Sequence, residues 1–143
     1  MARVTCFRLY PEPGRSLFYH VRLFPTQDAL RDYLRADSDV DRSAAFGSRA
    51  LCTRWMRTRT LPNGRTRTCP DLGELLFVVP LIDSEAISHE CAHAAIWWAR
   101  RVGISPFHID ASDTEHRFAN ADEERYCYAL GRMVLAITQR IPR

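Results

Sequence analysis

Lysine is missing from the chain, and all 20 basic residues are arginine. Coding bias is the plainest source of that, although arginine does favour planar recognition of carboxylate and phosphate. A run of 18 or more apolar residues is also missing, so no membrane-spanning helix is expected. Met1 to Arg15 holds charge and two prolines but no apolar core segment, so no secretory signal is expected either. The cysteines (Cys6, Cys52, Cys69, Cys91, Cys127) are odd in number, scattered and without a C-x-x-C pair. That pattern suits a reducing cytoplasm better than a disulfide framework or a cysteine zinc knuckle.

What is present is ordinary for a globular protein. The chain has 143 residues, enough for one domain over 1–143 with a real core. Apolar residues make up 46% and charged residues 26%, and the net charge of +3 is modest.

One stretch carries chemistry. Ser88-His89-Glu90-Cys91-Ala92-His93 spells H-E-x-x-H. On a helix, i and i+4 lie on one face about a turn apart, so two imidazoles can reach one ion. Glu90 is rotated about 100° from His89 and about 60° from His93, flanking the metal without blocking it. Neutral imidazoles suit zinc, and a carboxylate beside the metal can act as general base toward water. A pair of hydrogen-bonded core histidines is the competing reading.

Around this motif the chain reads as α+β. Residues 2–10 and 16–24 mix β-branched and aromatic residues with arginine on either side of Pro11-Glu12-Pro13-Gly14, which predicts a hairpin. His20 falls in its second strand as a half-buried residue. Thr26 is the N-cap of a helix that places Leu30, Tyr33 and Leu34 on one face. Asp37, Asp39 and Asp41 lack the glycine and closing glutamate of a calcium loop and read as a solvated turn. Residues 44–60 predict a long strand running into a hairpin at about 55–69, turned by Asn63-Gly64. With a four-residue loop, Thr60 faces Arg65 and Arg59 faces Thr66. Arg57 and Arg59 then lie on one face and Arg65 and Arg67 on the other. Such a tip projects into solvent, protected from aggregation by charge, with a grip on an anionic partner as the alternative. In that register Cys69 faces Met56.

Residues 74–79 form an apolar run ended by Pro80, read as a buried strand that binds substrate by strand addition if it lies at the sheet edge. Asp83 or Ser84 caps the motif helix, which ends at Gly103 after Arg100 and Arg101. Ile87, Cys91, Ala94, Ala95 and Trp98 lie opposite the histidines, while Ile96 and Trp97 share their side. A helix apolar nearly all round should be buried between the sheet and another element. The last helix runs from about Asn120 to about Arg140, with Cys127, Leu130, Val134, Leu135 and Thr138 inward.

A catalytic zinc site needs a third protein ligand. Ile96 and Ala99 stand where the glycine and third histidine of the longer H-E-x-x-H-x-x-G-x-x-H pattern would be, which leaves a glutamate from a later helix. Glu123 and Glu124 are both candidates by helical phase. With Asn120 as N-cap, Glu123 can reach back to the cap amide and leave Glu124 to coordinate, and both acids also suit a helix N-terminus without metal. His89-Glu90-Cys91-Ala92-His93 followed by Glu124-x-x-Cys127-Tyr128 resembles the minimal gluzincin-type zinc metallopeptidases. These include ImmA/IrrE-type proteins and small phage-encoded relatives whose second motif reads E-x-x-A/C. The resemblance covers residues 84–100 and 120–135. It implies a small zincin-like core, Zn2+ held by His89, His93 and Glu124, and Glu90 as general base.

The expected activity is zinc-dependent hydrolysis of a peptide or protein substrate, with His108, His116 or Tyr126 as candidate oxyanion donors. Two alternatives belong to other classes. One is a non-enzymatic binding protein with structural zinc, and the other is a nucleic-acid-binding module using the arginine hairpin.

Overall fold

The computed structural model describes residues 3–36, 47–106 and 121–142, and over them the chain is α+β. Strands β1 (Thr5–Leu9) and β2 (Phe18–Phe24) form the expected antiparallel hairpin, with Thr5 opposite Leu23 and Leu9 opposite Tyr19. Helix α1 (Gln27–Ala36) follows, its first turn capped by Thr26 Oγ1, which accepts from the Ala29 amide at 3.1 Å. Strands β3 (Ala50–Arg54) and β6 (Asp71–Val78) complete a four-stranded sheet in the order β1-β2-β6-β3. The β2–β6 pair is parallel and the other two pairs are antiparallel, so the sheet is mixed.

Each face of the sheet is covered by helix. Leu30 and Leu34 of α1 pack on Phe24, Leu76 and Val78. On the opposite face, Tyr19, Val21, Leu23, Leu75 and Phe77 meet helix α2 (Ser84–Val102), against which helix α3 (Ala121–Thr138) packs. Strand β6 is therefore buried on both sides from Leu72 to Val78, as a parallel-paired strand requires. Its buried acid, Glu74, is only 4% exposed and is satisfied by Arg22 Nε at 2.8 Å and the Tyr33 hydroxyl at 2.5 Å. That hydroxyl is pushed up to about 12 by burial and by the carboxylate it donates to.

Several expectations are corrected. Strand β6 is internal rather than an edge, so its hydrogen-bonding groups already serve β2 and β3 and strand addition there is closed. The long strand over 44–60 breaks after Arg54, and the next segment pairs elsewhere. Strands β4 (Thr58–Thr60) and β5 (Thr66–Thr68) form their own two-stranded ribbon. Its register is one residue away from the expected one: Arg59 faces Arg67 and Thr60 faces Thr66. The cause is the loop. Gly64 donates to the Leu61 carbonyl at 2.9 Å with φ +77°, and Leu61 donates to the Arg65 carbonyl at 2.7 Å. This is a three-residue loop with glycine in the left-handed region, not a four-residue one. Cys69 consequently donates to the Arg57 carbonyl, and all five cysteines are free thiols.

The motif helix is capped by Asp83, whose side chain accepts from Ala86 at 2.8 Å, and is closed by Gly103 in the left-handed region. It is not buried all round. Ile87, Cys91, Ala94, Ala95 and Trp98 are buried as expected, but His89, His93 and Arg100 are exposed, with Ile96 and Trp97 between. The inner stripe of α3 is also rotated by one residue. Tyr126, Ala129, Met133 and Ile137 are buried, whereas Cys127, Leu135 and Thr138 are exposed. Both stripes have helical spacing, and packing takes the one with small Ala129 beside Met133. Asp37, Asp39, Asp41, His108, His116 and Asn120 lie outside the described residues.

Candidate functional site

Helix α2 brings its two histidines together. The Nε2 atoms of His89 and His93 lie 3.1 Å apart, with ring planes at 80°. Two ligands each about 2.0–2.1 Å from one tetrahedral zinc ion lie about 3.3–3.4 Å apart, so these nitrogens are already close to a shared coordination geometry. The same distance suits an Nε2–H···Nε2 hydrogen bond if the tautomers differ. Both rings are exposed on the open stripe of the helix.

Glu90 occupies the border between that stripe and the core. It is 9% exposed, and its carboxylate faces the Cys52 backbone amide on β3. Burial raises its pKa, and the two neighbouring imidazoles and the Cys52 amide oppose the rise. Helix geometry explains the split between exposed histidines and a buried acid, since a step of 100° carries the chain from the open stripe to the edge of the packed arc. His89 and Glu90 line an open groove of about 670 Å³ with Gln27, Ser48, Arg49 and Glu85 among its other walls. Arg49 is fixed there by Asp83 at 2.6 Å and Glu85 at 3.7 Å. Cys52 and Cys91 flank the site from the core side, and burial pushes both thiols up to about 12, so neither is a thiolate nucleophile near neutrality.

The expected third ligand is elsewhere. The start of α3 lies beside the far end of α2: the Arg125 guanidinium stacks 5.4 Å from the Trp98 ring, and Asp122 accepts from the Ser105 amide at 3.1 Å. On the helical wheel Trp98 stands about 140° from His93 and about 180° from His89, so α3 arrives on the face opposite the histidines. Glu124 lines a separate groove with Glu12, Pro13, Arg15 and Tyr128. Among the described residues no third histidine, cysteine, aspartate or glutamate joins His89 and His93, from position 123, 124 or any other. Tyr126, one candidate oxyanion donor, is buried on the inner side of α3 and does not line the His89 groove. His20 is half-buried in β2 as expected.

Sequence reasoning missed Arg49 and the Cys52 amide. The first is an ordinary arginine in a segment with no motif, and the second is a backbone group whose role exists only once β3 lies against α2. The chain matches no protein-family model, no curated protein and no solved structure. Its function must therefore be argued from the geometry of these side chains.

Proposed function

We propose that the protein is a zinc-dependent hydrolase of the peptidase type. The convergence of the His89 and His93 Nε2 atoms, beside an open groove that His89 and Glu90 line, is the observation that supports this reading. His89 and His93 would hold the ion through Nε2. When bound, zinc supplies Lewis acidity toward a carbonyl oxygen and acidifies water. Glu90 would accept a proton at a carboxylate oxygen from the water whose oxygen bonds to the carbonyl carbon, and would pass it to the amine nitrogen as the C–N bond breaks, a role its place on the groove wall allows. Ala50 of the neighbouring strand β3 lines the same groove, and an extended peptide lying in that groove would pass His89 and Glu90. A structural zinc site would be closed by four protein ligands. Two exposed histidines leave coordination positions free, and no third protein ligand joins them among the described residues.

The test is metal content and cleavage together. Wild type purified without chelator should carry stoichiometric zinc by elemental analysis, and His93→Ala should lose it. Glu90→Gln should keep the zinc and the melting temperature but lose cleavage of an unstructured protein substrate by about 100-fold or more. Metal-free wild type that also fails to take up added zinc would defeat the proposal and leave the histidines as a hydrogen-bonded pair.

A further inference from the structure

The corrected register of the β4–β5 ribbon changes what it presents. Residues directly opposite in an antiparallel pair share a face, and alternate residues along a strand return to it. Arg59 faces Arg67, Cys69 donates to the Arg57 carbonyl, and Leu61 to that of Arg65. By these pairings Arg57, Arg59, Arg65 and Arg67 all belong to one face, and Thr58, Thr60, Thr66 and Thr68 to the other. Both faces are exposed. Like charges directly opposite destabilise a ribbon, and nothing described here offsets them at its outer end. Among the described residues, only Arg57 has a carboxylate within 4 Å, Asp71 at 3.8 Å. Arg59, Arg65 and Arg67 have none.

The base of the ribbon is held in place. Arg101 of α2 donates to the Trp55 and Cys69 carbonyls at 3.5 and 3.3 Å, bridging the two chains that enter it. Trp55 donates through Nε1 to Asp71 at 2.9 Å, and Arg57 stacks 4.0 Å over its ring. The result is a short arm with an anchored root and an unneutralised cationic face. It also stands apart from the histidine groove, since α2 rises about 16 Å between Glu90 and Arg101.

We propose that this face binds the phosphate backbone of duplex DNA without reading sequence. Guanidinium forks match phosphate oxygens in pairs, and a two-stranded ribbon is of a size the major groove admits. The arginine face carries one aliphatic side chain, Leu61 at the tip opposite Arg65, and its centre at Arg59 and Arg67 is guanidinium alone. A protein partner would want such an anchor at the centre of its interface, and a single strand would want rings to stack on. Duplex RNA hides its major groove from side chains, which leaves DNA as the fit.

The experiment measures binding of the full chain to a labelled 20-base-pair duplex of random sequence by fluorescence anisotropy, from about 50 to about 200 mM salt. Wild type should lose affinity with salt at a logarithmic slope of about −2 to −3, near −0.9 per neutralised phosphate. A second duplex of unrelated sequence should bind within about twofold of the first. R59Q/R65Q/R67Q should flatten the slope and weaken binding at least about tenfold, while R59K/R65K/R67K should keep the slope. Unchanged melting temperatures in both variants would assign the loss to charge. The proposal is overturned if wild type shows no salt-dependent binding, or if the glutamine variant binds like wild type. It is equally overturned if duplex RNA or single-stranded DNA binds more tightly, or if polyglutamate displaces the duplex at equal charge, the result an acidic protein partner would give.

Discussion

At the scale of single residues, the site is a matter of which way each side chain faces. His89 and His93 share the open stripe of α2, Glu90 sits at its edge, and Trp98 points to the other side. Glu124 belongs with that other side, because Arg125 lies over Trp98. Glu124→Gln should therefore leave the zinc content of the purified protein unchanged, whereas His89→Ala should empty the site. A variant at 124 that loses its zinc while its melting temperature holds would restore the three-ligand arrangement implied by the sequence resemblance. Two unpaired imidazoles would be expensive in a core, but on an open stripe water satisfies them. Their convergence beside Glu90, and not burial, is what favours a bound ion.

At the scale of elements, the close passage of β3 over β6 is the tightest constraint. Gly73 has φ +145°, and a Cβ there would stand 2.0 Å from the Thr53 carbonyl oxygen. Gly73→Ala should lower the unfolding free energy by about 3 kcal/mol or more in urea titration, through backbone strain and displacement of β3. Gly64→Ala, in open space at the ribbon tip with φ +77°, should cost only about 1 kcal/mol. Equal effects at the two positions would show that the passage is looser than it looks. Elements were well legible where their signals are local. Thr26, Asp83 and Gly103 cap helices as their side chains and backbone dictate, and the first hairpin follows from Pro11 to Gly14. Legibility failed where one residue decides a phase. A loop one residue shorter, with Leu61 paired to Arg65, moved every arginine of one strand to the other face. In α3 two apolar stripes of equal spacing competed, and only contact with α2 chose between them. No local pattern could tell which side of α2 that helix would reach, so H-E-x-x-H was legible and its partner was not.

At the scale of the whole molecule, the first hairpin and the last helix are tied together across the chain. Glu12, in the turn after β1, accepts from Arg125 Nε at 2.5 Å and from its Nη2 at 2.8 Å. The guanidinium holds the Glu12 carboxyl below its ordinary value of 4.5. A carboxyl depressed in the folded state stabilises fully above its unfolded value and loses that contribution as pH falls through the folded one. The melting temperature of wild type should thus exceed that of Glu12→Gln at pH 7. The gap should close as the solution is acidified from about pH 5 toward pH 3. A gap that persists unchanged at pH 3 would assign the effect to packing in place of charge.

The contact between Glu90 and the Cys52 amide has a consequence for how molecules of this protein meet one another. An open sheet offers its edge strands as templates for a second chain, which leads to aggregation. Both edges here are short, five residues each in β1 and β3 against seven and eight in the strands between them. Edge β1 carries the exposed arginine Arg8. Edge β3 turns the Cys52 N–H away from β6, and the Glu90 carboxylate covers it. The acid at the centre of the candidate site is therefore also a stopper on the sheet, so its loss exposes a strand to self-pairing as well as disarming the groove.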